Sequence, residues 1–277
     1  MSTSVTTITV EQYVRLADID SAATDGLTEQ EADEQFHALQ KELRELHDLM
    51  MAAETHALLL ILQGMDAAGK DVTIENVAGA LNPQAFRVKS FDKPTEEERK
   101  HHFLWRADIA TPMVGEAVVF DRSYYEQAMP GELQGDLSGE RRARRLKHIM
   151  AFERILADEG IIVIKIFLHI GKETQEQRLE ERQNDIEQAW KLSASDWKKH
   201  HQWDIHIEGY ETILNGTATS DIPWHVVPAD HRWYHNPAVA RIVVERLRAH
   251  REQWEASRRE IGEQNRKEAQ KARDEGA

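Results

Sequence analysis

The sequence contains no cysteine among its 277 residues. Disulfide bonds are therefore excluded, and so is any site that uses a cysteine as nucleophile or metal ligand. The absence of cysteine fits the reducing environment of the cytosol. The segment from Met1 to Asp20 also lacks the basic and apolar regions of a secretory signal peptide. We therefore predict a cytoplasmic protein.

Long apolar runs and excess positive charge are missing as well. The two longest apolar runs, Ala57–Leu62 and Ile161–Leu168, are far too short to cross a bilayer. Only 35 lysines and arginines stand against 49 aspartates and glutamates, for a formal net charge of -14. A general nucleic-acid-binding protein usually carries a basic surface. We therefore predict that neither a membrane nor a nucleic acid is a partner of this chain.

What the sequence does contain is an alternation of short apolar runs with helical stretches. Five runs predict strands, namely Leu58–Leu62, Phe86–Phe91, Ala117–Phe120, Ile161–Leu168 and His225–Val227. Several of them are continuously apolar, which is typical of parallel strands covered on both faces. The alternation predicts an α/β fold, a three-layer sandwich around a mainly parallel five-stranded sheet.

Composition divides the chain into three parts. Residues 1–30 are polar, and we expect a flexible or loosely docked N-terminal arm. Residues 31–254 are predicted to form one domain, in which a polar stretch rich in Trp, Lys and Glu, about 172–210, is an inserted helical lid. Residues 255–277 are dense in charges of both signs and are predicted to be a solvated helix or a disordered tail.

The most specific motif is residues 64–70, Gly-Met-Asp-Ala-Ala-Gly-Lys, which fit the pattern G-x-x-x-x-G-K. Glycines let the backbone turn so that successive N–H groups point at a phosphate, and the helix that follows adds its positive end. Lys70 would supply a full charge to the transferring phosphate oxygens. A predicted strand before the loop and a helix after it argue against an incidental glycine turn. The phosphate-contacting residues predicted here are Gly64, Ala67, Ala68, Gly69, Lys70, Asp71 and Thr73.

This phosphate loop departs from the usual pattern at two positions. Asp71 follows Lys70, where a Ser or Thr normally holds the metal, and the nearest hydroxyl is that of Thr73. Asp66 lies inside the loop, where a carboxylate would repel phosphate unless a cation intervened. We expect Asp66 to bind or orient hydrated Mg²⁺. The alternative is a carboxylate that caps the loop.

A second acidic motif follows the third predicted strand. Asp121 ends the buried run that begins at Ala117, so the carboxyl edge of the sheet would present it to a metal beside the phosphate loop, as in a Walker B motif. Arg122 is adjacent and could stabilise charge that develops on a phosphoryl oxygen. Its alternative role is a structural ion pair with Asp121 or Glu126.

These motifs resemble those of the polyphosphate kinase 2 family, whose fold is of the P-loop kinase type. Residues 64–71 and 121–125 carry the resemblance most specifically, and it extends over residues from about 36 to 250. The segment Phe103-Leu104-Trp105-Arg106 resembles the subgroup that uses both nucleoside mono- and diphosphates. Two positions depart from the family pattern. Val72 stands where the family usually has Gly, and Asp121 stands where the closest subgroup often has Asn.

The resemblance implies a reversible reaction in which inorganic polyphosphate and a nucleotide exchange a terminal phosphoryl group. The nucleotides are AMP, ADP and ATP, or their guanine counterparts, and the direction toward ATP would regenerate it. Mg²⁺ is the implied cofactor, with Mn²⁺ as a substitute. The resemblance also implies a homo-oligomer, a dimer or a tetramer.

The resemblance also implies roles for individual residues. Asp66 and Asp121 would hold the metal, and the implied catalytic residues are Asp66, Lys70, Asp121 and Arg122. Arg178 and Arg182, one helical turn apart on the lid, would grip polyphosphate together with Arg106. Lys89 and Lys93 either line the polyphosphate path or are surface lysines. The implied nucleotide-binding residues are Tyr124 and Glu126.

The sequence alone leaves two alternatives to this activity open. One is a P-loop kinase that uses ATP as donor and a different small-molecule acceptor. The other is a nucleotide- or polyphosphate-binding protein with little turnover, for which Val72 is the only support in the sequence.

Overall fold

The computed structural model describes residues 4–9, 13–129, 139–187 and 189–275. Within these residues one six-stranded sheet has the strand order β1-β6-β5-β2-β4-β3. The strands are β1 (Thr6–Ile8), β2 (Ala57–Gly64), β3 (Phe86–Ser90), β4 (Ala117–Asp121), β5 (Ile161–His169) and β6 (Trp224–Pro228). All neighbouring strands are parallel except β1 and β6. The predicted α/β fold and its five strands are confirmed, and the short edge strand β1 is added to them.

Helices connect and cover the strands. They are α1 (Glu29–Ala53), α2 (Lys70–Asn76), α3 (Trp105–Asp108), α4 (Gly139–Asp158), α5 (Lys172–Asn184), α6 (Ala194–His201), α7 (Trp203–Thr217), α8 (Arg232–Arg248) and α9 (Arg251–Glu275). No helix in the described ranges is long and apolar enough to span a membrane. Helix α1 packs with α8 and α9, whereas α4 packs with α7 and β5.

The central strand β2 explains why the apolar runs are continuous rather than alternating. All eight of its residues are buried, because β4 and β5 flank it and helices cover both faces. Fully burying each Leu or Ile side chain contributes about 1.5–3 kcal/mol of transfer free energy. This rigid strand ends at Gly64 and so fixes the start of the phosphate loop.

The N-terminal segment, predicted to be a flexible or loosely docked arm, is docked on the domain wherever the structure describes it. Strand β1 pairs with β6, and Leu16 is buried. The Val14 N–H donates to Asn215 Oδ1 at 2.7 Å, and the Asn215 amide donates back to the Val14 carbonyl at 2.9 Å. The prediction underestimated this segment because its strand is only three residues long and its other anchors are polar hydrogen bonds.

The lid and tail regions are both helical. Residues 172–210 contain α5, α6 and the first part of α7, in agreement with the predicted helical content. Motion of this lid remains a prediction. At the C-terminus α9 runs to Glu275 as an exposed helix, anchored near its start by the buried side chain of Trp254. A solvated helix was one of the two structures predicted for this tail.

Candidate active site

Two neighbouring parallel strands bring the two acidic motifs together. Leu62 of β2 lies opposite Asp121 of β4, two residues before β2 ends at Gly64. The Arg122 N–H donates to the Leu62 carbonyl at 2.9 Å, which continues the pairing past the end of β4. The phosphate loop and Asp121 therefore share the carboxyl edge of the sheet, where open α/β sheets bind their ligands.

The two glycines of the phosphate loop are required by their surroundings. Gly64 has φ +154°, and a Cβ placed there would lie 2.7 Å from the Leu168 carbonyl oxygen. Gly69 has φ +109°, and its Cβ would lie 2.8 Å from Cε1 of His235. Any larger residue would displace the loop from the strand or from α8, so these positions fix its shape.

Two non-glycine residues at the site adopt left-handed backbone conformations. Ala67 in the loop has φ +63° and Arg122 has φ +60°. Each such conformation costs about 1–3 kcal/mol and persists only where the surrounding structure enforces it. Strain of this kind is concentrated at binding and catalytic sites, and here it lies on both motifs.

The phosphate-loop lysine is folded back onto its own loop. Lys70 is buried, and its ammonium donates to the carbonyls of Gly64 at 2.9 Å and Met65 at 3.1 Å. Burial lowers the pKa of Lys70, and the charge of Arg122 lowers it further, although nearby carboxylates oppose both effects. Because loop carbonyls are weaker partners than phosphate oxygens, this ammonium can transfer to a bound phosphate.

Asp66 is the centre of a charged cluster. Arg122 donates to its Oδ1, and the Lys199 ammonium lies 3.4 Å from its Oδ2. Burial alone would raise the pKa of this carboxyl, but the charges of Arg122, Lys70 and Lys199 outweigh it, so the pKa lies below its ordinary value. Asp66 is therefore an ionised acceptor within the phosphate loop.

Asp121 is half-buried, and one of its carboxylate oxygens is buried and unsatisfied. Its Oδ1 has no hydrogen-bond partner among the described residues, and its Oδ2 accepts only a long 3.5 Å bond from Ser90. Burial raises the pKa of this carboxyl. The Thr73 hydroxyl beneath the loop is also buried and unpartnered within the described part of the chain. Unsatisfied buried oxygens of this kind are suited to a cation or its hydrating waters.

These oxygens fit a magnesium-type site better than a transition-metal site. No cluster of three or more His, Cys, Asp or Glu side chains able to hold a metal occurs in the described residues. Mg²⁺ usually keeps several waters and is bound by one or two carboxylates together with substrate phosphates. Asp66 and Asp121 provide such a pair at one edge of the sheet.

A cleft of about 560 Å³ opens above the phosphate loop. Its size lies in the range of small-molecule sites. The structure brings most of the predicted residues to its walls, namely Asp66, Ala67, Gly69, Lys70, Asp71, Asp121, Arg122, Arg178 and Arg182. Three further predicted residues, Gly64, Ala68 and Thr73, are buried and do not line the cleft.

Some predicted residues lie away from this cleft. Tyr124 is fully buried, and its hydroxyl donates to Glu153 at 2.8 Å, so it is a core residue rather than part of the cleft wall. Glu126 lines a second, smaller cavity that adjoins the cleft at Asp66 and Arg122. The two residues that resemblance assigned to the nucleotide thus occupy different environments.

Three of the predicted basic residues, Arg106, Lys89 and Lys93, also lie outside the lining of the cleft. Arg106 is buried, donates to the Asp92 carbonyl at 2.7 Å and lies 5.0 Å over the Phe91 ring. The Lys89 ammonium lies 5.9 Å from the same ring, and Lys93 is exposed. Arg106 therefore supports the loop that contributes Phe91 and Asp92 to the cleft.

Arg178 fixes the base of the lid on the phosphate loop. Its guanidinium donates to the carbonyls of Ala67 at 3.0 Å, Ala229 at 2.8 Å and Asp230 at 2.7 Å. Burial, aided by the charge of Arg232, lowers its pKa to about 10. Arg178 therefore lines the cleft and also ties three chain segments together.

Three cationic residues of the site were not predicted. Lys191 and Arg232 line the cleft, and Lys199 lines the smaller cavity. Lys191 lies 3.8 Å from the Asp71 carboxylate, so both lid lysines face acidic residues of the phosphate loop segment. For the two lysines the signal in the sequence was the lysine content of the lid, which does not distinguish an inward side chain from a solvated one.

Comparisons with known proteins agree on one family. A family model described as Polyphosphate kinase 2 matches residues 26–255. The AMP/ADP-polyphosphate phosphotransferase of Meiothermus ruber is 41% identical over 228 residues, which cover 82% of this chain and 85% of that protein. The ADP-polyphosphate phosphotransferase of Rhodopseudomonas palustris is 36% identical over 233 residues, which cover 78% of this chain and 81% of the relative. The crystal structure of polyphosphate kinase 2 from Arthrobacter aurescens TC1 superposes with a TM-score of 0.83 at 34% identity, over 88% of each chain.

Proposed function

The chain belongs to the polyphosphate kinase 2 family, and we propose that it transfers phosphoryl groups between inorganic polyphosphate and nucleotides, with AMP and ADP as acceptors. The observation that carries the proposal is the cluster at the sheet edge, in which Asp66 lies inside a phosphate loop and contacts Arg122. In an ordinary ATP-binding loop, a carboxylate among the amide donors would repel the bound phosphates. Such a carboxylate is useful where a cation must be held against a dense polyanion.

The charge of the cleft supports a requirement for a divalent cation. Its lining contains six cationic side chains against seven carboxylates, so the protein alone provides no net positive charge for polyphosphate. We assign Asp66 and Asp121 to the cation, and Mg²⁺ fits their oxygen donors. When bound, the cation would neutralise negative charge that develops on the phosphates during transfer.

The chain's own residues position the phosphates. Lys70 would exchange the carbonyls of Gly64 and Met65 for phosphate oxygens, which are stronger acceptors. Arg122 would stabilise negative charge on the transferring group while it stays anchored through its backbone N–H. Arg182 would hold the polyphosphate chain from the lid. These groups act by orientation and charge, because phosphoryl transfer requires little covalent chemistry from the protein.

The volume of the large cleft, about 560 Å³, supports binding of donor and acceptor phosphates side by side. In-line transfer puts the attacking and leaving oxygens on opposite sides of the phosphoryl group. The large cleft and the small cavity meet at Asp66 and Arg122, where such a group would lie. We place the phosphates of both substrates in the large cleft, because the small cavity beside Glu126 has a volume of only about 10 Å³. A homo-oligomer remains a prediction, which light scattering would test.

Product analysis tests this proposal. Purified protein would be incubated with Mg²⁺, polyphosphate and each of AMP, ADP, GMP and GDP, and the products would be separated by ion-exchange chromatography. We expect ADP from AMP and ATP from ADP, with the guanine arms reporting base preference. A parallel reaction with ATP and no polyphosphate tests an ATP-dependent kinase. Absence of product in all four polyphosphate reactions would contradict the proposal.

A further inference from the structure

Helix α6 carries two adjacent lysines with different surroundings. Lys198 is exposed to solvent. The Lys199 side chain is only 20% exposed, and its ammonium lies 3.4 Å from Oδ2 of Asp66. Helix α6 of the lid thus places the Lys199 ammonium beside the Asp66 carboxylate. The exposed Lys198 provides a matched control.

The Asp66 carboxylate has two cationic partners that differ in how firmly they are held. Arg122 is hydrogen-bonded to Oδ1, and its backbone N–H is anchored to the Leu62 carbonyl at the end of β4. Lys199 makes the longer contact from a flexible four-carbon stem whose ammonium needs no fixed orientation. A cation that approached Asp66 would therefore displace Lys199 before Arg122.

The position of Lys199 keeps a displaced ammonium close to the large cleft. Lys199 lines it with Glu126, His206 and Tyr210, and Asp66 and Arg122 separate it from the large cleft. An ammonium that moves by about one side-chain rotamer here remains beside the point where the cavities meet. Phosphate oxygens at that point would be a stronger partner than a carboxylate already neutralised by a divalent cation.

We propose that Lys199 competes with the divalent cation for Asp66 and, once displaced, binds the phosphates of the substrate as a further site residue. The proposal rests on the proposed function for the identity of that substrate. Lys199 would couple the lid to metal binding, because it contacts the phosphate loop when the cation is absent and the substrate when the cation is bound. The proposal also predicts opposite signs for two measurable effects of removing the lysine.

Metal binding is the first measurement. Mn²⁺ would be titrated into substrate-free protein, and the EPR signal of free Mn²⁺ would report its Kd in the wild type, Lys199→Met, Lys199→Arg and the control Lys198→Met. We expect Lys199→Met to lower the Kd by about fivefold, because a competing ion pair is removed. Lys198→Met should stay within about twofold of the wild type, since an exposed lysine contributes little. An unchanged or higher Kd in Lys199→Met would overturn the competition.

Phosphate binding is the second measurement. At saturating Mn²⁺, calorimetry with tripolyphosphate should show weaker binding in Lys199→Met, and kcat/KM for AMP with polyphosphate should fall about a hundredfold, the effect of one lost oxyanion donor. Lys199→Arg should recover most of both, because it keeps the charge. A lysine that merely braces the lid would weaken metal and phosphate binding alike, which contradicts the proposal.

The two proposals can fail separately. A wild type that forms no polyphosphate-dependent product would contradict the proposed function. The Mn²⁺ and tripolyphosphate titrations would still decide the role of Lys199, because neither depends on turnover. Circular dichroism of each variant would confirm that the fold is kept.

Discussion

Replacing Lys165 by methionine would remove one half of an ion pair buried in the core. The Lys165 ammonium is fully buried and donates to Glu153 at 2.9 Å and to the Thr217 carbonyl at 2.8 Å. The other oxygen of Glu153 accepts from the hydroxyls of Tyr124 at 2.8 Å and Tyr125 at 2.6 Å. This network holds the turn that follows Asp121 and Arg122.

The size of the effect follows from burial. Removing one partner of a buried pair leaves an uncompensated charge and costs about 3–5 kcal/mol. For a domain of this size we expect the melting temperature to fall by about 10 °C, from about 2–4 °C per kcal/mol. Glu153→Gln should have a similar effect, because it removes the counter-charge of the ammonium while its amide oxygen still accepts from the two tyrosine hydroxyls.

A double-mutant cycle tests whether Lys165 and Glu153 stabilise the core as an ion pair. The pair Glu153→Gln with Lys165→Met contains no buried charge, so its melting temperature should recover most of the loss seen in either single variant. The assay is thermal denaturation followed by circular dichroism. Single variants that melt within about 2 °C of the wild type, or effects that simply add in the double variant, would show that the ion pair does not stabilise the core.

Other predictions concern the site and its pH response. Asp66→Asn and Asp121→Asn should each reduce kcat by at least about a hundredfold while circular dichroism shows that the variant stays folded, and near-normal turnover would remove that residue from the metal role. His235 is buried under Gly69, and burial lowers its pKa to about 3, so the folded state excludes its proton. The free energy of unfolding should therefore fall as pH drops from about 6.5 toward 4, and His235→Leu should flatten that dependence in urea denaturation. An equally steep profile in the variant would assign the effect to other groups.

Much of the fold could be predicted because its signals are physical and local. Buried parallel strands must be apolar along their whole length, and β2 and β5 show this directly. A phosphate loop needs glycines at fixed spacing, so Gly64 and Gly69 were found from the motif. Strand β1 was missed because three residues give no periodicity, and its pairing depends on β6, which lies far away in the chain.

The site was less predictable because a motif does not show where a side chain points. Tyr124 belongs to the same motif as Asp121, yet its ring lies in the core. Arg106 likewise binds the backbone of the loop beside the cleft and does not line the cleft itself. Lys198 and Lys199 are indistinguishable in sequence, and only the packing of α6 directs one of them to Asp66.

The rate of ADP formation from AMP tests whether polyphosphate-dependent transfer takes place at the loop that contains Asp66. It would be measured with Mg²⁺ and polyphosphate, with the wild type beside Asp66→Asn and with polyphosphate or ATP as the sole donor. We expect product from the wild type with polyphosphate and a rate at least about a hundredfold lower in the variant. No product, or equal rates in the two proteins, would contradict polyphosphate-dependent transfer at the loop that contains Asp66.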